Sequence, residues 1–503
     1  MRIVVVGSGF GGLAAAIRLQ AQGHQVTIVE KLDQPGGRAC VFTQDGFTFD
    51  AGPTIITAPW VLDELFALTG RTTADYVSLV RLDPFYNIRF EDGSVFRYNG
   101  DPDALRAQVR AFSPADESGY LRFREQAGAI FDAGMPLIDQ PFDTIGSMVR
   151  ALPAIVRTRS DRSVAAMANA CLRDERLRQV FSFHPLLVGG NPFRASSMYA
   201  LIHKLEQQWG VLFCMGGTGA LVQALVRAFE DLGGTVRYQH EVQQLLIGAN
   251  GRASGVQFTD GRTLDADAVV FNGDVVQAYR TLFLASTGSS ASAASAARLR
   301  RRALRLERMR HSMSLFVIYF GTDRQYPDLA HHEILMGPRY RELLEDIFER
   351  KVLADDFSLY LHRPTATDPS LAPPGHDAWY VLSPVPHLGS RTDWEAVGQR
   401  YRDRIMDYLE ARYLPGLSHH IVTERRIDPR YFERTLNSYL GSAFGPEPVL
   451  TQSAWLRPHN RDRDIPNLYF CGAGTHPGAG LPGVISSGKI VAEMIARSSG
   501  FQV

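Results

Sequence analysis

Apolar runs and glycines alternate near the start of the chain in a pattern that predicts a parallel sheet. The apolar, β-branched run Arg2–Val6 predicts a buried strand. A helix is predicted over residues 13–22, ends at Gly23, and is followed by a second apolar run, Gln25–Val29. A strand, a helix and a strand in such close succession form a βαβ unit, which begins a parallel sheet.

Helical and strand patterns then alternate in long blocks. Helices are predicted over residues 102–112, 117–134 and 221–232 and through much of 147–205. Strand patterns occupy residues 235–238, 242–247, 252–258, 268–271, 315–320, 379–383 and 468–471, and a last helix covers 483–497. The pattern predicts that the chain leaves the first sheet, forms a second one, and returns to the first near its end.

The composition is that of a folded protein with more than one domain. A chain of 503 residues exceeds what one hydrophobic core supports, so about two or three domains are expected. The 45% hydrophobic and 21% charged residues are ordinary for a globular protein. Basic and acidic residues number 53 each, so no overall field attracts nucleic acid, and none is expected as a partner.

Cysteine spacing and hydropathy indicate the cellular compartment and exclude several kinds of metal and redox site. Cys40, Cys171, Cys214 and Cys471 are too far apart in sequence for a zinc pair or a CxxC redox motif, so we expect buried thiols in a cytosolic protein and no metal. No secretory signal and no apolar run of about 18 residues is present, so no membrane-spanning helix is expected. If the protein contacts a membrane, we expect the contact to be at the membrane surface.

The first apolar run leads into a dinucleotide fingerprint. The segment Gly7-Ser8-Gly9-Phe10-Gly11-Gly12 has the form GxGxxG, lies between a predicted strand and a predicted helix, and is followed by Glu30 at the end of the next strand. Glycines permit the tight turn and the close approach of the backbone to a pyrophosphate. The helix N-terminus favours phosphate, and the Glu30 carboxylate suits ribose hydroxyls and disfavours a 2′-phosphate.

Two further segments favour FAD over NAD. Glu30-Lys31 is followed by Pro35-Gly36-Gly37-Arg38, which resembles the second part of the fingerprint in the amine oxidase and carotenoid desaturase superfamily. Near the chain end, residues 467–475 resemble the flavoprotein segment beside the ribityl chain, with Gly472, Ala473 and Gly474 close to the cofactor. Pro482-Gly483-Val484 would start a helix whose dipole stabilises the anionic reduced flavin. Val242, at the start of a predicted strand, completes the expected cofactor set.

Several longer motifs resemble the bacterial-type phytoene desaturases, a family of carotenoid oxidoreductases, in order along nearly the whole chain. They are residues 46–54 (GFTFDAGPT), 181–184 with 187–192 (FSFH and LVGGNP), 216–221 (GGTGAL), 453–461 (SAWLRPHNR) and 472–480 (GAGTHPGAG). The resemblance implies desaturation of membrane-dissolved phytoene to lycopene or a less desaturated carotene, with FAD reoxidised by oxygen or a quinone. It also implies a peripheral enzyme on the cytoplasmic side of the membrane, and a homo-oligomer is left open.

The fold class implied is α/β, with a Rossmann-type FAD-binding domain built from separate segments, an inserted α+β substrate domain and a helical membrane-associated region. We assign residues 1–80, 215–275 and 455–503 to the FAD-binding domain. Residues 81–134 and 276–454 are assigned to the substrate domain, and residues 135–214 to the helical region.

Two residues are the candidates for catalysis. Desaturation removes a hydride, which flavin can accept, and a proton. The resemblance points to Arg150 on a substrate-domain helix, but the related pattern has an aspartate where this chain has Ser147. Arginine is a poor base, so Arg150 would stabilise charge or orient the flavin. His476 lies in the predicted flavin-flanking turn and would touch the flavin or face the substrate tunnel.

A membrane-contacting segment is predicted over residues 135–156, where apolar side chains are followed by Arg157 and Arg159. An apolar surface with basic edges suits insertion into one leaflet, whereas a helix packed inside the substrate domain would show the same pattern.

Other functions remain open from the sequence. A related carotenoid desaturase or isomerase would share these motifs, since fold does not fix substrate. An amine oxidase acting on a soluble amine and a non-catalytic flavin-binding carrier are alternatives from other classes.

Overall fold

The computed structural model describes residues 1–285 and 293–499. Parts of the predicted domains, residues 286–292 and 500–503, lie outside this range. The strands are β1 (Arg2–Val6), β2 (Gln25–Val29), β3 (Val41–Gln44), β4 (Phe47–Asp50), β5 (Leu79–Arg81), β6 (Tyr86–Arg89), β7 (Val95–Tyr98), β8 (Leu212–Cys214), β9 (Thr235–Arg237), β10 (Val242–Ile247), β11 (Ala253–Phe258), β12 (Thr263–Asp265), β13 (Ala268–Phe271), β14 (Ser314–Thr322), β15 (His332–Leu335), β16 (Leu359–His362), β17 (Asp377–Val385), β18 (Ile421–Ile427) and β19 (Leu468–Phe470).

The α-helices are α1 (Phe10–Ala21), α2 (Trp60–Ala67), α3 (Pro102–Phe112), α4 (Glu117–Gly134), α5 (Ile145–Arg157), α6 (Val164–Cys171), α7 (Glu175–Val180), α8 (Leu201–Trp209), α9 (Gly217–Asp231), α10 (Val275–Arg280), α11 (Leu282–Ala285), α12 (Ala293–Glu307), α13 (Tyr340–Glu345), α14 (Trp394–Arg412), α15 (Leu417–His420), α16 (Pro429–Arg434) and α17 (Leu481–Ser499). The predicted elements at both chain ends are confirmed, and the long block after residue 147 divides into four helices.

A five-stranded parallel sheet joins distant parts of the chain, as the sequence predicted. Its strand order is β19-β13-β1-β2-β9, and every adjacent pair is parallel. In β1, Ile3 and Val5 pack into the core that contains α1, α9 and α17, whereas Val4 packs into the core of β10, β11, α10 and α12 on the other face. Both faces are covered, which is why the strand is apolar without alternation.

The second sheet has seven strands in the order β18-β14-β17-β16-β15-β6-β7. Strands β14 and β17 pair antiparallel and extend beyond the predicted ranges 315–320 and 379–383. Side chains of β14 alternate between two cores: Phe316, Ile318 and Phe320 pack against α14, while residues 315, 317 and 319 face the helical region. The sheet therefore presents one apolar face to the interior of the molecule. Together the two sheets and their helices form a mixed α/β fold.

No helix in the described part of the chain combines the length and apolar character needed to cross a bilayer.

Asp50, at the end of β4, ties this hairpin to the start of α9. Its carboxylate accepts hydrogen bonds from the backbone nitrogens of Thr218 (2.9 Å) and Gly219 (3.2 Å). Gly217 has a φ of 80°, and a Cβ there would lie 2.8 Å from the carboxylate oxygens. Burial raises the pKa of Asp50 to about 6, although the backbone hydrogen bonds oppose the rise.

This raised pKa predicts a specific pH dependence of stability. The folded protein holds the Asp50 proton more tightly than the unfolded chain, so the contribution is full below pH 3.8 and is lost as the pH rises through about 6. Asp50→Asn should remove that loss, which is on the order of 3 kcal/mol. Free energies of unfolding in urea, measured for both proteins from acidic to neutral pH, check this. Parallel profiles for the two proteins would contradict the assignment.

Candidate functional site

One large cavity of about 950 Å³ extends from the carboxyl ends of the parallel strands to the apolar face of the second sheet. One end is lined by the glycine-rich turn after β1 and by residues that follow β2, β13 and β19. The other end is lined by apolar side chains of α8, β14 and β15. The position at the carboxyl edge of a parallel sheet is where nucleotides bind in doubly wound folds.

The glycine-rich turn is shaped by close backbone contacts. Gly7 has a φ of 96°, and α1 begins at Phe10 without a side-chain cap at Gly9. A Cβ on Gly12 would lie 2.1 Å from the Gly7 carbonyl oxygen, so this position excludes any side chain. The turn therefore leaves the free N–H groups of the α1 N-terminus available to an anionic group.

Glu30 follows β2 and is fixed to this turn. Its Oε2 accepts hydrogen bonds from the Ser8 backbone nitrogen (2.8 Å) and the Ser8 hydroxyl (2.7 Å). Its Oε1 accepts one from the backbone nitrogen of Leu32 (2.9 Å). Glu30 lines the cavity, whereas Ser8 lies behind the wall. The neighbouring Lys31 also lines the cavity and forms an ion pair with Glu241 at 3.4 Å.

Arg38 brings a buried positive charge to the same end. The guanidinium donates from Nη2 to the Ser438 hydroxyl (3.0 Å), and its Nε has no hydrogen-bond partner among the described residues. Burial lowers the pKa of Arg38, and nearby Asp274 opposes that shift. A buried guanidinium with an unused N–H suits a diphosphate, which accepts several hydrogen bonds.

The segment near the chain end lines the same part of the cavity. Gly472 follows β19 with a φ of 98°, and a Cβ on Gly11 would lie 2.9 Å from the Gly472 nitrogen. The cavity wall includes all but three of the predicted cofactor-binding residues, namely Gly7, Gly9, Gly11, Glu30, Lys31, Gly37, Arg38, Val242, Gly472, Ala473, Pro482, Gly483 and Val484. Ser8, Gly12 and Gly474 do not line the cavity. The donor set and the glycine-lined cradle fit a dinucleotide.

His476 lies on the cavity wall. Its Nε2 donates a hydrogen bond to the Gln140 carbonyl oxygen (3.1 Å), which leaves Nδ1 as an acceptor without a partner in the described structure. Burial lowers the pKa of His476 to about 4, so the ring is neutral. The ring packs against Phe142 at 4.9 Å between centroids. The structure thus brings one of the two predicted catalytic residues to the cavity.

Arg150 does not lie beside the cavity, where the sequence analysis expected it. It is exposed on α5 and does not line the cavity. The helix turns its apolar residue Ile155 toward the cavity and leaves Arg150 in solvent, where a charged guanidinium is better hydrated. This placement gives no support to a role for Arg150 beside the flavin.

Two clusters of buried polar side chains near the apolar end were not predicted from the sequence. Thr54 and Tyr360, both on the wall, share a hydrogen bond of 3.0 Å, and Tyr360 also bonds His332 Nδ1 at 2.7 Å. His331, His332 and His362 each place one ring nitrogen within 4.8 Å of the others. The Nε2 atoms of His331 and His362 lie 3.0 Å apart, at hydrogen-bond distance, and the rings of His332 and His362 are nearly parallel, at 20°. Burial lowers the pKa of all three.

The second unsignalled group consists of Glu206, Tyr86 and His184. Glu206 lies on the cavity wall and accepts hydrogen bonds from the other two side chains. No motif of fixed spacing connects these three positions, so only the folded structure brings them together.

Comparisons with known proteins show which family this chain is similar to. The sequence pattern of the family described as flavin containing amine oxidoreductase matches residues 10–496. A lycopene-forming phytoene desaturase of Pseudescherichia vulneris is 51% identical over 98% of this chain and 99% of its own length. A neurosporene-forming phytoene desaturase of Rhodobacter capsulatus is 42% identical over 98% of this chain and 94% of its own.

Solved structures show the same fold at low identity. Cyclohexylamine oxidase from Brevibacterium oxydans superposes with a TM-score of 0.61 at 17% identity, over 99% of both chains. An oxidoreductase from Methanosarcina mazei gives a TM-score of 0.66 at 17% identity, over 98% of this chain and all of the other. The chain therefore shares its overall fold with these two oxidoreductases.

Replacing Glu30 tests the dinucleotide end of the cavity. Glu30→Arg removes the carboxylate that holds the Ser8 turn and that we expect to accept hydrogen bonds from ribose hydroxyls, so it should weaken flavin binding by about tenfold or more. The ratio of flavin to protein after gel filtration, measured from absorbance, reports the loss. Glu230→Arg, an exposed substitution on α9, is the matched control and should retain its flavin. Unchanged flavin content in Glu30→Arg would remove Glu30 from the cofactor site.

Proposed function

Because the chain belongs to the flavin containing amine oxidoreductases and, within them, to the phytoene desaturases, we propose that it desaturates phytoene with FAD as the electron acceptor. The observation that carries this proposal is 50–51% identity, over nearly the full length, to three lycopene-forming phytoene desaturases. We accordingly propose lycopene as the final product and carotenoid biosynthesis as the setting.

The residues of the dinucleotide end suit FAD. The N-terminus of α1 would hold the diphosphate together with Arg38, and the Glu30 carboxylate would accept hydrogen bonds from a ribose. Gly472 and Ala473 would lie against the flavin, with the first turn of α17 directed at it. When bound, FAD supplies the acceptor for a hydride. Oxygen or a quinone is the proposed final electron acceptor.

The apolar end suits a long hydrocarbon. Its wall includes Leu205 on α8, Leu315 and Val317 on β14, and Ile334 on β15. Such a surface holds an alkene chain by burial alone, excludes water, and keeps one bond of the substrate near the flavin. Neutral His476 on the wall is a candidate to orient either the flavin or the substrate.

The product assay tests this proposal. Purified protein with FAD and phytoene-loaded liposomes should convert colourless phytoene to long-wavelength polyenes, resolved by chromatography and absorbance. Omitting FAD is the control and should abolish colour. If flavin-bound protein returns phytoene intact, the substrate assignment fails and a different carotenoid or an amine takes its place.

We also propose that α5 and the segment before it contact the membrane, as a peripheral site on its cytoplasmic side. On α5, Val149, Leu152 and Val156 are 62%, 51% and 67% exposed. Ile155 on the same helix lines the cavity, as do Leu137, Ile138 and Phe142 just before it. Arg150, Arg157 and Arg159 are exposed around these apolar side chains. An apolar surface with basic neighbours beside the cavity supports uptake of substrate directly from a bilayer.

Acidic substitutions on this surface test the membrane proposal. Val149→Asp with Leu152→Asp should lower binding to anionic liposomes by about tenfold or more, since each apolar side chain contributes about 1.5 kcal/mol or more when buried. Co-sedimentation measures the bound fraction. Val352→Asp is the matched control, because Val352 is 53% exposed elsewhere on the surface. Equal binding by the double variant and the control would reject this surface.

A further inference from the structure

Glu206 is a buried carboxyl group on the wall of an apolar cavity. It lies on α8, has no solvent-exposed surface, and lines the cavity among Leu201, Ile202 and Leu205 of the same helix. Its Oε1 accepts a hydrogen bond from the Tyr86 hydroxyl, and its Oε2 accepts one from His184 Nε2 at 3.2 Å. Within residues 1–285 and 293–499, no lysine or arginine forms an ion pair with it.

This environment is unusual among the buried carboxylates of the described residues. Glu333 is paired with Arg89 at 2.7 Å, and Asp377 is paired with Arg363 at 3.0 Å. Those ion pairs offset the cost of removing a carboxylate from water, which is several kcal/mol for an unpaired ion. The side-chain partners of Glu206 among the described residues are hydroxyl and imidazole groups, and none is a lysine or an arginine. A carboxyl group kept in such surroundings beside a cavity is a candidate for chemistry rather than for stability.

The other carboxylates on the cavity wall belong to the dinucleotide end. Glu30 is fixed to the glycine-rich turn, and Glu241 is paired with Lys31. Asp274 caps the N-terminus of α10, where it accepts a hydrogen bond from the Gln277 nitrogen at 3.0 Å. Glu206 is the carboxyl group on the described wall that lies among the apolar side chains, where a hydrocarbon would be bound.

Tyr86 and His203 place no positive charge near Glu206. Burial and the neighbouring Glu206 raise the pKa of Tyr86 well above its usual value, so Tyr86 stays protonated and donates. On the next turn of α8 toward its start, His203 bonds to the Tyr98 hydroxyl, and burial lowers the pKa of His203 to about 3. His203 is therefore neutral. Each Glu206 carboxyl oxygen accepts one hydrogen bond and keeps a second lone pair that these two bonds do not use.

We propose, building on the function proposed above, that Glu206 accepts the proton that phytoene loses at each desaturation. A C–H bond breaks at one carbon, and the hydride leaves with both electrons to the flavin. The C–H bond of the adjacent carbon then gives its proton to a Glu206 oxygen, and its electron pair forms the new C=C bond. The substrate is oxidised by two electrons, the flavin is reduced by two, and Glu206 becomes a neutral carboxylic acid. Tyr86 and His184 are positioning residues that hold the carboxylate toward the cavity.

The test measures the rate of flavin reduction in the FAD-loaded, full-length protein. The protein is mixed, under oxygen-free conditions, with phosphatidylcholine liposomes that contain phytoene. Glu206→Gln should lower the rate at saturating phytoene by about 100-fold or more, the range for losing a general base. The flavin content and the half-saturating phytoene concentration should stay near those of the wild type. Glu206→Asp, which keeps a carboxylate set back by one methylene, should recover part of the rate.

Glu333→Gln is the matched control, because it is the same change at a buried carboxylate that does not line the cavity. It should reduce its flavin at the wild-type rate. A wild-type rate in Glu206→Gln would overturn the assignment of Glu206 while leaving the desaturase proposal intact. Wild-type protein whose flavin is not reduced by phytoene would instead reject the desaturase proposal itself.

A second measurement does not depend on any variant folding. Infrared difference spectra of the wild-type protein, recorded before and after anaerobic reduction by phytoene, should gain the C=O band of a newly protonated carboxyl group. Reduction by dithionite in the absence of phytoene is the reference. It should give no such band, because no substrate is present to lose a proton. Flavin reduced by phytoene with no new carboxyl band would overturn the proposal.

Discussion

The architecture depends on a backbone contact that leaves no room for side chains. A Cβ on Gly12 would meet the Gly7 carbonyl oxygen, and a Cβ on Gly11 would meet the backbone of Gly472. The turn after β1 can therefore touch the turn after β19 directly. This contact brings the two ends of the chain to one edge of the parallel sheet, and everything inserted between them is positioned against that edge.

The second sheet and the helical region complete a cavity with two different ends. At the parallel sheet, glycines, Glu30 and Arg38 offer hydrogen bonds and charge, which a dinucleotide can match. At the other end, alternate residues of β14 supply an apolar wall while their neighbours pack against α14. The period of two along one strand thus builds both a binding surface and the core that supports it.

Buried polar groups lie at the apolar end of this cavity, so its wall can do more than bind a hydrocarbon by burial. Most buried carboxylates in the chain are neutralised by arginine or by backbone N–H groups, as at Glu333 and Asp50. Glu206 has neither kind of partner and lies where a hydrocarbon would be held. Desaturation in a space that excludes water needs a local acceptor for the proton, and Glu206 is the carboxyl group that the described wall offers among its apolar side chains.

The sequence by itself determined the elements whose signals are local. It predicted β1, α1 and β2 with the glycine turn between them, the position of Glu30 after β2, and the second glycine segment before α17. It also predicted the central parts of β14 and β17, residues 315–320 and 379–383. These follow from residues adjacent in the chain. The motifs also indicated the family, because their order and spacing are properties of the sequence alone.

Only the tertiary structure decided which side chains share the apolar end. Tyr86, His184 and Glu206 come from a strand, a short helical turn and α8, and no pattern in the chain connects them. Arg150 was expected beside the flavin, but the orientation of α5 leaves it in solvent. The physical reason is the same in each case: burial and partners are set by how elements pack against one another, and a residue's neighbours in sequence do not carry that information.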